Sequence, residues 1–256
     1  MAAERTASGR MIRIVVFDWN GTLTRDRFEI GFFSGLLGAL LRDNPLDWSL
    51  WSRTIAINRK VRDVFKNHRA ESLQDEIVGI VPRINDILES HLTETTLEKY
   101  MARSRRARRR QLDMVMLASF KSLREELGVK MGIISSGCRL NIERSLSDCG
   151  VHLDFIEANE LQRQKGQRGY RYNLVVLGNK GDVLKRSVES IGEDLSNVAY
   201  VGDDIQDIPC FQIAGYPILS PWASRDARST IAAGVNVHAP STSLELVHTI
   251  KQGCRI

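Results

Sequence analysis

The stretch Ile12-Arg13-Ile14-Val15-Val16-Phe17-Asp18-Trp19-Asn20-Gly21-Thr22-Leu23-Thr24 decides how this chain is read. Residues 12–17 are mostly apolar and have the length of a buried strand. A carboxylate stands where that strand ends, and a glycine turn follows at once. In an open α/β sheet, side chains at the carboxyl ends of parallel strands line the crevice where ligands bind. Asp18 is therefore a candidate for chemistry, although a lone strand-end Asp also serves simply to open a turn. Gly21 and Thr22 fit either role, since glycine allows a close backbone approach and threonine caps turns.

Working outward, residues 1–10 read as a tail, and the strand signal disappears from about residue 27 to 109. Segments with helical spacing follow at 28–41, 47–68, 71–90 and 93–109, with Pro45 and Pro82 marking breaks. In the second segment, Trp48, Trp51, Ile55, Asn58 and Val61 fall near one face, which predicts a packed side there. From residue 111 strands and helices alternate. Helices are expected at 111–127, 139–149, 181–191, 205–214, 224–233 and 242–252. Strands are expected at 129–134, 154–158, 198–201, 217–219 and 235–238. Residues 161–177 carry a glycine turn and the alternation Tyr170, Tyr172, Leu174, Val176, which reads as a hairpin. The pattern predicts an α/β fold: a Rossmann-like, mainly parallel sheet with helices on both faces and an inserted all-helical block. The expected division is a core of residues 11–26 plus 110–256 and a helical cap of residues 27–109.

Bulk properties set outer limits. The 256 residues carry 36 basic and 31 acidic side chains, a net charge of +5, and 43% hydrophobic residues. Such a balance suits a soluble globular protein and mildly favours anionic partners without demonstrating any. Cys138, Cys149, Cys210 and Cys254 are widely spaced, with no pair at metal-ligand spacing, and read as reduced thiols of a cytoplasmic protein. The longest apolar stretch, 30–41, is interrupted by glycines and is too short for a bilayer, which takes about 20 residues. No membrane association is expected.

Three further stretches end apolar strands with reactive groups. Gly132-Ile133-Ile134-Ser135-Ser136-Gly137-Cys138 places a hydroxyl, and then backbone N–H groups before a helix, where anions bind; an N-cap serine explains part of this equally well. Gly178-Asn179-Lys180-Gly181-Asp182 places a cation at a helix start, against the helix dipole, which makes sense beside an anion. Lys185 lies one turn further in. Tyr200-Val201-Gly202-Asp203-Asp204-Ile205-Gln206-Asp207 gathers three carboxylates that repel unless a cation compensates. Asp204 reads as the turn or N-cap residue among them.

In this order the four stretches resemble the four motifs of the haloacid dehalogenase superfamily, over about residues 11–25 and 111–250. The run Ala158-Asn159-Glu160-Leu161 through the hairpin to Lys180, and the place of the helical insertion, look like the phosphoserine phosphatase branch. The resemblance implies a magnesium-dependent phosphatase acting on a small phosphorylated metabolite through an aspartyl-phosphate intermediate. It implies Asp18 as nucleophile, Ser135 and Lys180 as phosphate contacts, and Ser136 and Gly137 as substrate-binding backbone. It also implies magnesium held by Asp18, the Asn20 carbonyl and Asp203, with Asp207 orienting waters or Lys180. One departure stands out. Most phosphatases of the superfamily carry Asp at position 20, as the acid–base group, and an amide cannot exchange a proton. Such help is worth about 10²–10⁴-fold.

The alternatives follow from that departure and from one charge run. Arg103, Arg105, Arg106, Arg108, Arg109 and Arg110 crowd into eight residues. On a helix they would spread around most of the circumference, which suits a solvated helix; a landing site for nucleic acid is the sharper reading. A nucleic-acid-directed phosphatase and a catalytically weakened binding protein on the same fold thus stand beside the metabolite phosphatase.

Overall fold

The computed structural model describes residues 11–24, 28–66, 70–163, 166 and 168–254. The expected 1–10 tail lies outside them. At the centre is strand β1 (Ile14–Phe17), every residue of it buried. It pairs in parallel with β2 (Lys130–Cys138) on one side and β5 (Val198–Gly202) on the other. β3 (Phe155–Arg163) continues the sheet beyond β2, and β6 (Tyr216–Leu219) continues it beyond β5. β4 (Tyr170–Asn173) closes the far edge antiparallel to β3, as the hairpin reading required. The order is β4-β3-β2-β1-β5-β6. Successive residues of β1 enter opposite faces, as the pleat demands. Val15 and Phe17 join one apolar core, and Ile14 and Val16 the other.

Among the described residues, five helices lie between β1 and β2. α1 (Phe28–Asp43), α2 (Trp48–Lys66), α3 (Ala70–His91) and α4 (Glu94–Gln111) pack around a third core that includes Phe32, Leu36, Leu50, Ile57, Ile84, Leu88 and Met101. α5 (Met114–Leu127) instead lies on the sheet, where Phe120 stacks on Phe17 at 5.1 Å. It starts on the Asp113 side chain, which accepts from Val115 N and Met116 N, and it stops at Gly128 with φ +66°. The remaining helices are α6 (Arg139–Ser147), α7 (Lys180–Ser190), α8 (Ile208–Ile213), α9 (Arg225–Gly234) and α10 (Ser243–Gly253). The third core also takes in Cys138, Leu161 and Tyr172, so the helical insertion is seated on the end of β2 and on the hairpin. The buried Asn85 of α3 fixes that seat. Its amide donates to the Tyr172 carbonyl at 3.0 Å and accepts from Tyr172 N–H at 2.7 Å, satisfying the open edge of β4.

Three expectations are corrected. Of the expected face of α2, Trp48, Trp51 and Ile55 are exposed while Asn58 and Val61 are half-buried, and among the described residues the buried ones are Leu50, Thr54 and Ile57. Both rows have helical spacing, and the row that finds the apolar faces of the neighbouring helices is the one that sinks. Pro82 does not break its helix but lies inside α3. A proline removes one helical hydrogen bond, and burial of Ile80, Ile84, Ile87 and Leu88 around it carries the helix through. Residues 235–238 form no strand. A single bridge joins His238 to Ile218, beside the edge strand β6. The four cysteines are free thiols, three of them buried.

Candidate active site

Register brings the four quoted stretches to one edge of the sheet. Phe17 pairs with Ile133 and with Val201, so Asp18, Ser135 and Asp203 all stand just past those partners at the carboxyl ends of β1, β2 and β5. Asp18 is buried, and its Oδ2 lies 3.1 Å from Lys180 Nζ. Lys180 opens α7, is itself buried, and donates to Asp207 Oδ1 at 2.7 Å. Oxygens of Asp18, Asp203 and Asp207 lie within 4.8 Å of one another.

The supporting bonds explain this arrangement. Asp207 is fully buried and holds four donors: Lys180 Nζ and the Tyr200 hydroxyl on Oδ1, and the backbone N–H groups of Asp203 and Asp204 on Oδ2. With about four lone-pair sites on a carboxylate, Asp207 is spent on positioning its neighbours. Asp204 caps the short 3-10 turn that follows and accepts from Ile205 N–H, as expected of a turn residue. The Thr22 hydroxyl donates to Asp203 Oδ1 at 3.2 Å. Gly21 has φ +71°, and a Cβ there would sit 2.0 Å from Asp203 Oδ2. Ser135 is buried with its Oγ accepting from Gly137 N–H at 3.0 Å, which leaves its own proton to donate. Ser136 and Gly137 form the irregular stretch where the β2–β3 register shifts between Ser135 and Cys138.

Electrostatics mark the site as short of positive charge. Burial pushes the Asp18 carboxyl up to about 6, against the pull of Lys180. Burial, then Asp18 and Asp207, raise Asp203 well above the carboxylate range. Burial opposes the charge on Lys180, but Asp18 and Asp207 outweigh it and hold the ammonium above its usual pKa. Three carboxylates against one ammonium leave two negative charges when all are ionised. Asp18 Oδ1 and Asn20 Oδ1 are buried without a hydrogen-bond partner. An oxygen-only donor set with an orphaned carboxylate oxygen and two surplus charges fits a hard divalent cation such as magnesium.

Sequence reasoning overlooked the parts that hold the loops. Asn159, buried in the middle of β3, donates to the Ser136 carbonyl at 2.7 Å and accepts from Val175 and Val176 N–H, tying the Ser135 loop to the approach to Lys180. The hydroxyl of Ser220 donates to the Gly21 carbonyl at 2.9 Å. An Asn and a Ser directly after the expected strands were the available signals, but many such residues only cap turns.

The family model for haloacid dehalogenase-like hydrolases matches residues 12–215, most of the chain. The chain belongs to that hydrolase family. A search of curated proteins gave no match. Among solved structures, a substrate-bound phosphoserine phosphatase complex is 17% identical, with 94% of this chain and 98% of that one covered and a TM-score of 0.59. A phospho-aspartyl intermediate analogue of phosphoserine phosphatase is 16% identical, with 94% and 100% covered and a TM-score of 0.59. A hydrolase of the same family from Salmonella enterica subsp. enterica serovar Typhi is 17% identical, with 94% and 73% covered and a TM-score of 0.61. At such identities the likeness to this hydrolase is one of fold.

Proposed function

We propose that the protein is a magnesium-dependent phosphatase of small phosphomonoesters. The observation that carries this reading is the Asp18 carboxylate. One oxygen is held by Lys180 at 3.1 Å, the other is buried and unpartnered, and the carboxylate clusters with Asp203 and Asp207. Asp18 attacks phosphorus; a bond forms from its carboxylate oxygen, the ester P–O bond breaks, and the leaving oxygen takes a proton from water to depart as the alcohol. Ser135 and Lys180 hold the phosphoryl oxygens, with Ser136 and Gly137 offering backbone N–H groups. Water then attacks the acyl phosphate, the P–O bond to Asp18 breaks, and inorganic phosphate leaves. Asp18, the carbonyl of Asn20 and Asp203 would hold the magnesium ion, which supplies charge neutralisation at the phosphoryl group. Asp207 fixes Lys180 and the Asp203 loop.

Residues 27–109 act as a cap that excludes water and supplies substrate contacts. Phosphoserine, named for two of the similar structures, belongs in a screen of phosphorylated metabolites. Asn20 gives no acid–base help, so a substrate with a good leaving group turns over best.

Hydrolysis of an aryl phosphate with magnesium tests the reading. Asp18→Asn abolishes turnover, and Asn20→Asp raises it on poor leaving groups by about 10²–10⁴-fold. A phosphate-ester binder without turnover is the reading that Asn20 alone favours; silence of both the native and the Asn20→Asp protein would select it.

A further inference from the structure

The fold divides the arginine run of α4 into two groups. Arg105 and Arg108 turn toward the end of α6, where Arg105 Nε lies 2.8 Å and Arg108 Nη2 3.0 Å from Asp148. Arg108 is buried and also donates to the Met101 carbonyl at 2.8 Å. Lys99, Arg103, Arg106 and Arg110 are all exposed. Their spacing of four, three and four residues stacks them in one row, within an arc of about 60° at about 100° per residue. The row rises about 16 Å along the helix. The acids of α4 leave it alone: Glu94 pairs with Arg163 at 3.1 Å, and Glu98 with Arg144 at 2.6 Å. Among the described residues, none of the four cations makes an ion pair. Arg109, also exposed, stands about 60° to one side of this row. Setting the inward pair aside thus leaves an uncompensated row of four cations flanked by Arg109.

We propose that this track docks the phosphate backbone of a nucleic acid. A row of evenly spaced cations, three of them guanidiniums that grip phosphate with paired N–H groups, matches a polymer with a phosphate at every repeat. The exposed residues beside the row, Thr95, Ala102 and Ala107, offer no large apolar side chain to insert into a lipid surface and no ring to stack on a base. Recognition is therefore electrostatic and independent of sequence. The track ends at the segment that follows the Asp18 turn. α4 runs into Leu112, which bridges Thr24, and Asp113 N–H donates to the Leu23 carbonyl at 2.8 Å. Docking does not depend on the phosphatase reading, because it is measured without turnover.

The test is fluorescence anisotropy with a labelled single-stranded oligonucleotide over about 50–200 mM salt. The full chain is compared with the triple variant Arg103→Gln, Arg106→Gln, Arg110→Gln and with a control of equal charge, Arg13→Gln, Arg59→Gln, Lys60→Gln. All six positions are exposed, and circular dichroism melts check that the folds match. The native chain binds, and the track variant loses about 2 from the slope of log affinity against log salt, at about 0.7 per phosphate contact. The control loses less than half as much. The proposal fails if the native chain does not bind at low salt, or if both triples lose equally. It also fails if the track variant loses affinity for phosphatidylserine vesicles but not for the oligonucleotide.

Discussion

Asp18 and Asn20 flank a buried tryptophan, and each carries a buried side-chain oxygen with no hydrogen-bond partner. Only one of these two residues brings a charge, so the pair keeps the features of a cation site while lacking a titratable acid at position 20. Gly21 shows how tightly the loop is fitted. Its φ of +71° lies in the region that favours glycine, and the space a Cβ needs belongs to Asp203. Gly21→Ala therefore displaces Asp203 and weakens magnesium affinity about tenfold or more, read by metal titration of a heat-denaturation midpoint. Thr22→Val, which removes only the hydrogen bond to Asp203, has a smaller effect in the same titration.

At the scale of elements, the clasp between α4 and α6 separates arginines that look alike in sequence. Arg108 and Asp148 expose only 7% and 19% of their side chains, so loss of the guanidinium leaves Asp148 with the more exposed Arg105 alone. Arg108→Ala destabilises the protein by about 3 kcal/mol, whereas Arg106→Ala, exposed and unpaired, stays within about 0.5 kcal/mol. Urea denaturation of the two variants checks the contrast. The same scale explains why α2 was misread. Its two apolar rows differ little in composition, and only the placement of the neighbouring helices chooses Leu50 and Ile57 over Trp48 and Ile55. It also explains Pro82, since helix propensity is local while the burial that overrides it is not.

For the whole molecule, the acid cluster couples stability to pH and to metal. A carboxyl raised in the folded state binds its proton more tightly there than in the unfolded chain. With Asp18 raised from 3.8 to about 6, its contribution is fully present below about pH 4 and is lost as pH rises through about 6, on the order of 3 kcal/mol. Asp203, raised in the same direction, extends the loss upward. Lys180, a base raised by its acids, keeps its contribution throughout this range and loses it only in strong alkali. Magnesium held as proposed would meet the ionised acids and stabilise the folded state by mass action. Its effect on the melting temperature is therefore small near about pH 5 and largest above about pH 7, measured by calorimetry with magnesium against chelator. A uniform magnesium effect across that range would contradict the assignment.

Much of this was legible in the chain itself. The alternating strands and helices, the hairpin, the helical insertion and the reactive ends of β1, β2 and β5 all follow from local periods and from turn residues adjacent in sequence. The sequence determined the class of fold and which side chains could meet, because the carboxyl ends of parallel strands lie at one edge by topology. The tertiary structure alone decided which apolar row of α2 is buried, that Asp207 is filled by four donors, that Asn159 and Ser220 hold the loops, and that Arg105 and Arg108 leave the run to meet Asp148. Three of the four donors to Asp207 are near it in sequence, but its bond to Lys180 and the other outcomes depend on partners far away along the chain, such as Asp148 for Arg108 or Gly21 for Ser220, and no local period encodes such a distance.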